Sequence, residues 1–573
     1  MNITYYISMV RKCIKDCGVG WTVSRAVREL SGGQGLYTGY SDYLKEHTLT
    51  GDELAAEKEE KLSFKPLISV IIPLYESDTR LLGELLDAYM SQTYTRWELC
   101  MSDGSADKER LRSFVEKYVT QHDVTGYING ECIGKSECGS VIKYVAKDEG
   151  TLNISENTNQ AIGVADGEFI ALCDHDDMIY PETLYTIVKA INEHPDDTDF
   201  IYTDEDKLSE DGTTRFQPSV KPDFSPHYLE SANYIVHMCV IRRSVAAAVG
   251  GFDSSVNGSQ DYDYILRATE LSRRVVHVPG IVYSWRVNAT SAAGNENAKT
   301  YAYDAGLRAI RNHYKRMGVS AQIDQSENPG HYIASYELSG DPLISVVINS
   351  SENSKYSRRA CAETIRSIRQ NCGYKNLEFV RSLSRAKGNY IVLVSPGLKL
   401  APQTGCKWIG HTVERERGVL AAAAAYLGVR REVKLVAGCV ASDYRFRHGG
   451  YIPGVTDDRT LTMMRDSDFL RPLYQYRDFP ALREGICMVR SEDKQLLRLM
   501  LKKGCVTQED VDGIYGEDNL DDADSKGDAA MTGHDDKVPS DEMRDEDKTD
   551  RFMYYLRRPC LIYAAGLTCM GRR

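Results

Sequence analysis

Three carboxylates stand within four residues at Asp174-His175-Asp176-Asp177, directly after the apolar run Phe169-Ile-Ala-Leu-Cys173. Carboxylates this close repel one another, and clustered hard oxygens are what Mg²⁺ or Mn²⁺ needs to bridge protein and a diphosphate. The alternative is a solvated turn at a strand end. A further carboxylate, Asp261, follows the turn Gly258-Ser259 and begins a helix-like pattern of Tyr262, Ile265, Leu266 and Thr269. In that position it serves either as a base toward an attacking hydroxyl or as an N-cap for the first helical N–H groups.

The elements that must hold these groups read as a mainly parallel α/β sheet with flanking helices. The run that starts at Gly167 is too short for a helix and suits a buried strand, whose carboxyl end opens onto the crevice where such sheets bind ligands. Pro66-Leu-Ile-Ser-Val-Ile-Ile-Pro73 is a β-branched strand that Pro73 stops, leaving Tyr75 and Glu76 just beyond it. Leu81, Leu82, Leu85, Leu86 and Tyr89 recur at helical spacing and predict the crossover back to the sheet. Trp97 to Ser102 is the next strand, which puts Asp103 at a second carboxyl end and completes a βαβ unit. Helices are predicted over Asn157–Ala165 and Pro181–His194, the second with Leu184, Ile187, Val188 and Ile191 on one side. Asp52 to Lys65, charged and rich in helix formers, reads as a connecting helix.

The strand run 66–73, Ser102-Asp103-Gly-Ser105, Ile154-Ser-Glu-Asn-Thr-Asn159, Asp174-His-Asp-Asp177 and Tyr202-Thr-Asp-Glu-Asp-Lys207 together resemble family 2 glycosyltransferases. More closely, they resemble the two-domain bacterial enzymes of O-antigen and rhamnan synthesis. The likeness continues through Gly250-Gly-Phe-Asp253, Gly258-Ser-Gln-Asp261-Tyr-Asp263 and Val282-Tyr-Ser-Trp285-Arg286, and covers residues 66–320. It implies a GT-A fold, a nucleotide-sugar donor, Mn²⁺ or Mg²⁺, and inversion at the anomeric carbon.

Cleaving a sugar from a nucleoside diphosphate develops charge on the leaving group, which a metal acting as Lewis acid neutralises. Asp174 and Asp176 are the ligands expected; the family's alternative has the first touch the ribose instead while the later one holds the metal, and Asp177 takes over if the register shifts by one. Tyr75 is placed to stack on a base, and Asp103 to accept a hydrogen bond from the imide N–H of uracil or thymine. Their structural alternatives are a core aromatic and an ordinary turn residue before Gly104. The resemblance places Pro73, Glu76, Asn159 and Trp285 with them at the donor, and assigns Asp261 as the base, although the family's usual Glu is Gln260 here. Arg286 either approaches the diphosphate or holds a surface carboxylate. Ser284 and Asn288 stand where many relatives carry histidines.

The second half restates the first. Pro342-Leu-Ile-Ser-Val-Val-Ile348 repeats Pro66 to Ile72, and Tyr374-Lys-Asn-Leu-Glu378 repeats Tyr94 to Glu98. Aligning Gly388 with Gly167 puts Ser395, Pro396, Gly397 and Leu398 against Asp174, His175, Asp176 and Asp177, so every carboxylate is lost. The organisation expected is a helical extension over 1–65, a GT-A domain over 66–335, a degenerate, truncated GT-A-like copy over 336–508, an acidic disordered insertion over 509–550, and an apolar and basic segment over 551–573.

Of the 573 residues, 42% are hydrophobic, enough for more than one core. The net charge of −13 is concentrated, because residues 509–550 hold 17 Asp/Glu against 4 Lys/Arg. The remainder is near neutral and carries no nucleic-acid footprint. Fifteen cysteines without a Cys-x-x-Cys pair point to a reducing compartment. The patch before Arg11-Lys12 has no cleavage site, and no apolar stretch reaches membrane-spanning length, so a cytoplasmic protein is expected. Residues 3–10 with Arg11, Lys12 and Lys15 either rest as a basic amphipathic helix on the inner membrane face or pack against the protein. The first strand is not followed by a Gly-rich phosphate loop with its lysine, which argues against a nucleotidyltransferase.

The function expected is an inverting glycosyltransferase, hexosyl or rhamnosyl. It would move sugar from a UDP- or dTDP-linked donor to a growing cell-surface polysaccharide or lipid-linked glycan. The alternative is a non-catalytic scaffold that binds sugar nucleotide or polysaccharide.

Overall fold

The β-branched run after Pro66 becomes the middle of a sheet. In the computed structural model, the described residues are 40–137, 139–147, 150–287, 296–326, 330–348, 355–400, 419–442, 445–447, 450–451, 477–478, 481–483, 486–503, 505–515 and 560–571. The N-terminal segment before residue 40, Asn288 and most of the acidic segment lie outside them. Two compact units are present: the described residues up to Phe224 with Ala232–His313, and Ser225–Ser231 with the described residues from Tyr314 onward.

In the first unit, β1 (Ile68–Leu74) lies between two parallel neighbours, β2 (Trp97–Asp103) and β6 (Phe169–Leu172). Beyond β2 follow β5 (Val141–Ala146), β3 (Thr125–Ile128) and β4 (Glu131–Gly134). On the other side, β10 (Cys239–Arg242) runs antiparallel to both β6 and β8 (Thr198–Leu208). The long strand β11 (Arg274–Arg286) runs parallel to β8 and pairs with the short β7 (Met178–Ile179). With β9 (Arg215–Ser219) on β8, the described residues form an eleven-stranded sheet. β1, β2 and β6 are buried almost throughout, as expected for strands covered on both faces.

The helices show why local chemistry sets their ends. α1 (Tyr40–His47) precedes α2 (Gly51–Glu59), which starts at a capping box between Thr50 and Glu53 and stops before Lys65. Past its end, Asn192 pins the chain through Ser63 and Phe64, so the sequence's helix formers do not continue the turn. α3 (Thr79–Met90) buries Leu81, Leu82, Leu85, Leu86 and Tyr89, the face predicted. α4 (Glu109–Gln121) follows β2. α5 (Ile154–Ile162) begins three residues earlier than the periodicity suggests, because Asn153 and Glu156 form a capping box. α6 (Thr183–Glu193) buries Leu184, Ile187, Val188 and Ile191, and α7 (Gln260–Leu271) carries Asp261 in its first turn.

The second unit repeats this register. Ile344 pairs with Leu377 and Tyr390 as Ile68 pairs with Trp97 and Phe169. Leu393 opposes Cys487 in an antiparallel pair as Leu172 opposes Cys239. The buried polar links are duplicated too: Tyr94 and Tyr374 donate to Pro66 and Pro342 carbonyls, each at 2.5 Å. Ser69 and Ser345 donate to Glu98 and Glu378 and accept from Gly167 and Gly388 N–H at 2.8 and 2.7 Å. At those two glycines a Cβ would fall 2.5 and 2.6 Å from the carbonyls of Leu67 and Leu343, so only glycine permits the approach. Counting back two residues from Cys239 and Cys487 reaches His237 in the first copy and Gly485 in the second. Among the described residues, no helix is long and apolar enough to cross a membrane.

Candidate active site

The end of β6 and the start of β10 meet because the strands are antiparallel: Cys239 pairs with Leu172, so the residues just before β10 lie beside those just after β6. This brings His237 to Asp174, with Nε2 and Oδ2 3.5 Å apart. Asp177 joins them, and one potential ligand atom from each of the three lies within 4.8 Å of the others. His237 Nδ1 is buried without a hydrogen-bond partner.

The three acids of the motif have different surroundings. Asp177 is fully buried; one oxygen accepts from the Tyr283 hydroxyl and the other from the Arg286 N–H at 2.8 Å. Burial, together with Asp174, pushes its carboxyl well above the usual range. Asp174 is crowded by protein yet its side chain remains 45% exposed. Burial acts to raise it, but the His237 imidazolium outweighs that and holds it below the usual range. His237 is correspondingly pushed up to about 9, since the Asp174 charge overcomes burial. Asp176 is raised by burial and by Asp174, with His175 opposing.

Asp261 shares this field. Burial raises its carboxyl, His237 lowers it and Asp174 raises it. Its Oδ2 accepts from Asn233 Nδ2 at 3.1 Å. Ser259 occupies the N-cap position of α7, and Asp261 stands in its first turn, where the Tyr262 N–H also lowers the carboxyl. The structure thus gathers Asp174, Asp177 and Asp261 around an imidazole that sequence reasoning missed, with Asp176 beside Asp174.

The other predicted residues lie at the same strand ends with varied commitments. Tyr75 is 55% exposed past β1, not a core aromatic. Glu76 has a left-handed backbone (φ 49°); its N–H donates to Ser105 Oγ at 2.8 Å, and its carboxylate accepts from Ala106 N–H at 3.1 Å. Pro73 sits on β1 opposite Ser102. Asp103 is buried, with Oδ2 accepting from Tyr144 at 2.6 Å and Oδ1 from Ser105 N–H at 2.9 Å. Asn159 is committed to the main chain of Phe252, donating to its carbonyl at 2.9 Å and accepting from its N–H at 2.7 Å. Trp285 is half-buried, with Lys207 5.7 Å from its ring centroid.

Arg286 is itself fully buried, and the carboxylate it holds, Glu84, is partly exposed at the surface. It ion-pairs with Glu84 at 2.8 Å and donates to the carbonyls of Asp176 at 2.8 Å and Glu210 at 3.3 Å. Its guanidinium therefore fixes the Asp176 main chain. Ser284 bonds Asp206 and Tyr180 instead of offering a ring, while an imidazole stands beside Asp174 from His237.

The acids of the run 202–207 on β8 are each matched by a cationic or imidazole partner: Asp204 with His277, Glu205 with Lys221, and Asp206 with Arg215. The only sequence signal for His237 is its place just before the apolar run Met238 to Ile241. That run predicts a strand but not its neighbour.

Residues 69–250 match the model of the family described as glycosyl transferase family 2. The chain is 34% identical over 328 residues to y4gI of Sinorhizobium fredii, covering 57% of this chain and 33% of that protein. It is 29% identical to the O-antigen biosynthesis protein RfbC of Myxococcus xanthus, covering 51% and 21% respectively. It thus spans about a third and a fifth of these relatives. A mannosyltransferase from Pyrobaculum calidifontis, solved with GDP-Man and Mn²⁺, is similar with a TM-score of 0.33 at 17% identity, covering 46% of this chain and 73% of that one.

Proposed function

From a chain whose residues 69–250 belong to glycosyl transferase family 2, with its GT-A fold, we propose an enzyme that moves a sugar from a UDP- or dTDP-linked donor to a hydroxyl of a growing polysaccharide or lipid-linked glycan, with inversion. The observation that carries this reading is the convergence of Asp174, Asp177 and His237 at neighbouring strand ends with Asp261 in the first turn of α7. Relatedness to an O-antigen biosynthesis protein supports the choice of acceptor class.

The residues fit a divalent cation. Two carboxylates and an imidazole converge within 4.8 Å, and His237 retains an unpartnered ring nitrogen. Asp174, Asp177 and His237 would hold the ion, with Asp176 beside them; imidazole among the carboxylates favours Mn²⁺ over Mg²⁺. When bound, such an ion neutralises charge on the departing diphosphate. Asp261, its basicity strengthened by burial, accepts the proton from the attacking hydroxyl, and Asn233 orients it. Tyr75 offers an exposed ring on which the base stacks, and Trp285 a surface for a sugar. Arg286 holds the Asp176 carbonyl with its guanidinium and the Asp177 carboxylate with its main-chain N–H, and leaves the diphosphate to other groups.

The transfer site belongs to the first copy alone in this reading, because the second carries Ser395, Gly397, Leu398 and Gly485 where the first carries Asp174, Asp176, Asp177 and His237. The experiment is to incubate the full chain and Mn²⁺ with a panel of nucleotide sugars and acceptor glycans. Release of UDP or dTDP that needs both acceptor and metal is expected. Donor binding without release across the panel would favour the scaffold.

A further inference from the structure

The turn that carries His237 is held in a conformation its own residues disfavour. Val236 has a φ of 44°, in the left-handed region that β-branched side chains avoid. Such a conformation persists only where surrounding contacts over-determine it. Here they are side chains from outside the turn. The Lys221 ammonium donates to the carbonyls of Ile235 and His237, each at 2.5 Å, and pairs with Glu205 at 3.3 Å. Glu205 in turn accepts from the His237 N–H at 3.2 Å. Asn233, which also holds Asp261, accepts from the Val236 N–H at 3.3 Å, and Thr203 Oγ accepts from the Met238 N–H at 3.3 Å. The Lys221 side chain is completely buried, so its charge is satisfied by these oxygens and not by water.

We propose that Lys221 is a positioning residue for the active site: its ammonium, locked by Glu205, clamps the carbonyls on either side of Val236 and so presents the His237 imidazole to Asp174. A lysine suits this task because one compact head offers three donors, and Lys221 spends them on three oxygens that converge around one turn. Any expectation about metal affinity rests on the proposed cation site; the geometric expectation does not.

The full chain carrying Lys221→Met tests the clamp. Its crystal structure without metal is expected to show the imidazole withdrawn from the 3.5 Å approach to Asp174 and Val236 relaxed to negative φ. Mn²⁺ affinity in the presence of UDP should fall ~10–100-fold, the usual effect of losing a partner that orients a ligating histidine. Asp199→Asn breaks another buried ion pair of the same sheet, with Arg242 and Arg273. It should lower the melting temperature while leaving Mn²⁺ affinity unchanged. If Lys221→Met does not fold, Glu205→Gln removes only the locking charge and should shift both readouts the same way, by less. An unchanged His237–Asp174 approach in the variant that folds overturns the proposal, as does Mn²⁺ affinity that falls no more than in Asp199→Asn. Should the wild type show no Mn²⁺-dependent UDP binding, the cation site is wrong, and the crystal readout alone decides the clamp.

Discussion

Replacing Asp261 with Asn separates a proton acceptor from a charge that merely complements a helix terminus. The carboxylate lies in the first turn of α7 and receives a hydrogen bond from Asn233 at 3.1 Å. An amide oxygen can accept that bond equally, so the fold should be preserved. If the carboxylate acts only on the helix dipole, its loss costs ~0.3–1 kcal/mol of stability and leaves turnover near normal. If it is the base, kcat falls ~10²–10⁴-fold, which is about 2.7–5.4 kcal/mol of transition-state stabilisation. Donor affinity should be spared, because the proton moves only in the transition state. The assay is nucleoside diphosphate release at saturating donor, with donor Kd by calorimetry and melting temperature on the same preparation. Near-normal turnover with normal affinity would refute the assignment. A wild type that binds donor yet never turns over would refute the enzyme itself.

Asp174→Asn should weaken metal-dependent UDP or dTDP binding and abolish transfer; equal nucleotide affinity with and without Mn²⁺, in both wild type and variant, would count against it. Arg430 forms a bidentate pair with Glu230 at 2.8 and 2.9 Å, both buried, beside His227 and Tyr314. Arg430→Met strands the Glu230 charge and should cost ~3–5 kcal/mol in denaturant unfolding; a change below about 1 kcal/mol, the worth of an exposed pair, would show the pair to be solvated. A fragment of residues 1–335 also leaves Glu230 without Arg430, so nucleotide binding by that fragment should come with reduced stability. His277 is pushed up to about 9, because Asp204 and Asp223 outweigh the lowering effect of burial. As its folded pKa lies above the unfolded ~6.5, its contribution, on the order of 3 kcal/mol, is full below that pH and lost as pH rises through about 9. Urea titrations at about pH 6 and pH 10 should show the wild type losing that much more than His277→Gln; parallel losses would refute the pairing.

Local pattern carried far because a strand's neighbours in a βαβ unit are implied by the unit itself. The run 66–73, the apolar face of Leu81 to Tyr89 and the strand ending at Asp103 were legible, and β1 and β2 pair in parallel as the crossover requires. The internal repeat was legible too, and the registers Ile68–Phe169 and Ile344–Tyr390 follow from aligning Gly167 with Gly388. Helix ends were less so, since a capping box at Asn153 outweighs periodicity at α5.

The motif Asp174 to Asp177 could be found by type and spacing alone, but the division of labour within it could not. Which acid faces Tyr283 and Arg286, which remains partly open, and which stands over an arginine depend on β11 arriving from about a hundred residues away to pair with β7. The same holds for Asp204, Glu205 and Asp206, an acidic run whose charges are matched by His277, Lys221 and Arg215. By itself the sequence determined the fold class, the duplicated architecture and the strand that carries the carboxylates, because hydrophobic periodicity and turn chemistry act over a few residues. Only the tertiary structure decided that His237 lies beside Asp174 and Asp177. Antiparallel insertion of β10 between β6 and β8 is a long-range pairing, and no residue near His237 encodes which strand it will meet.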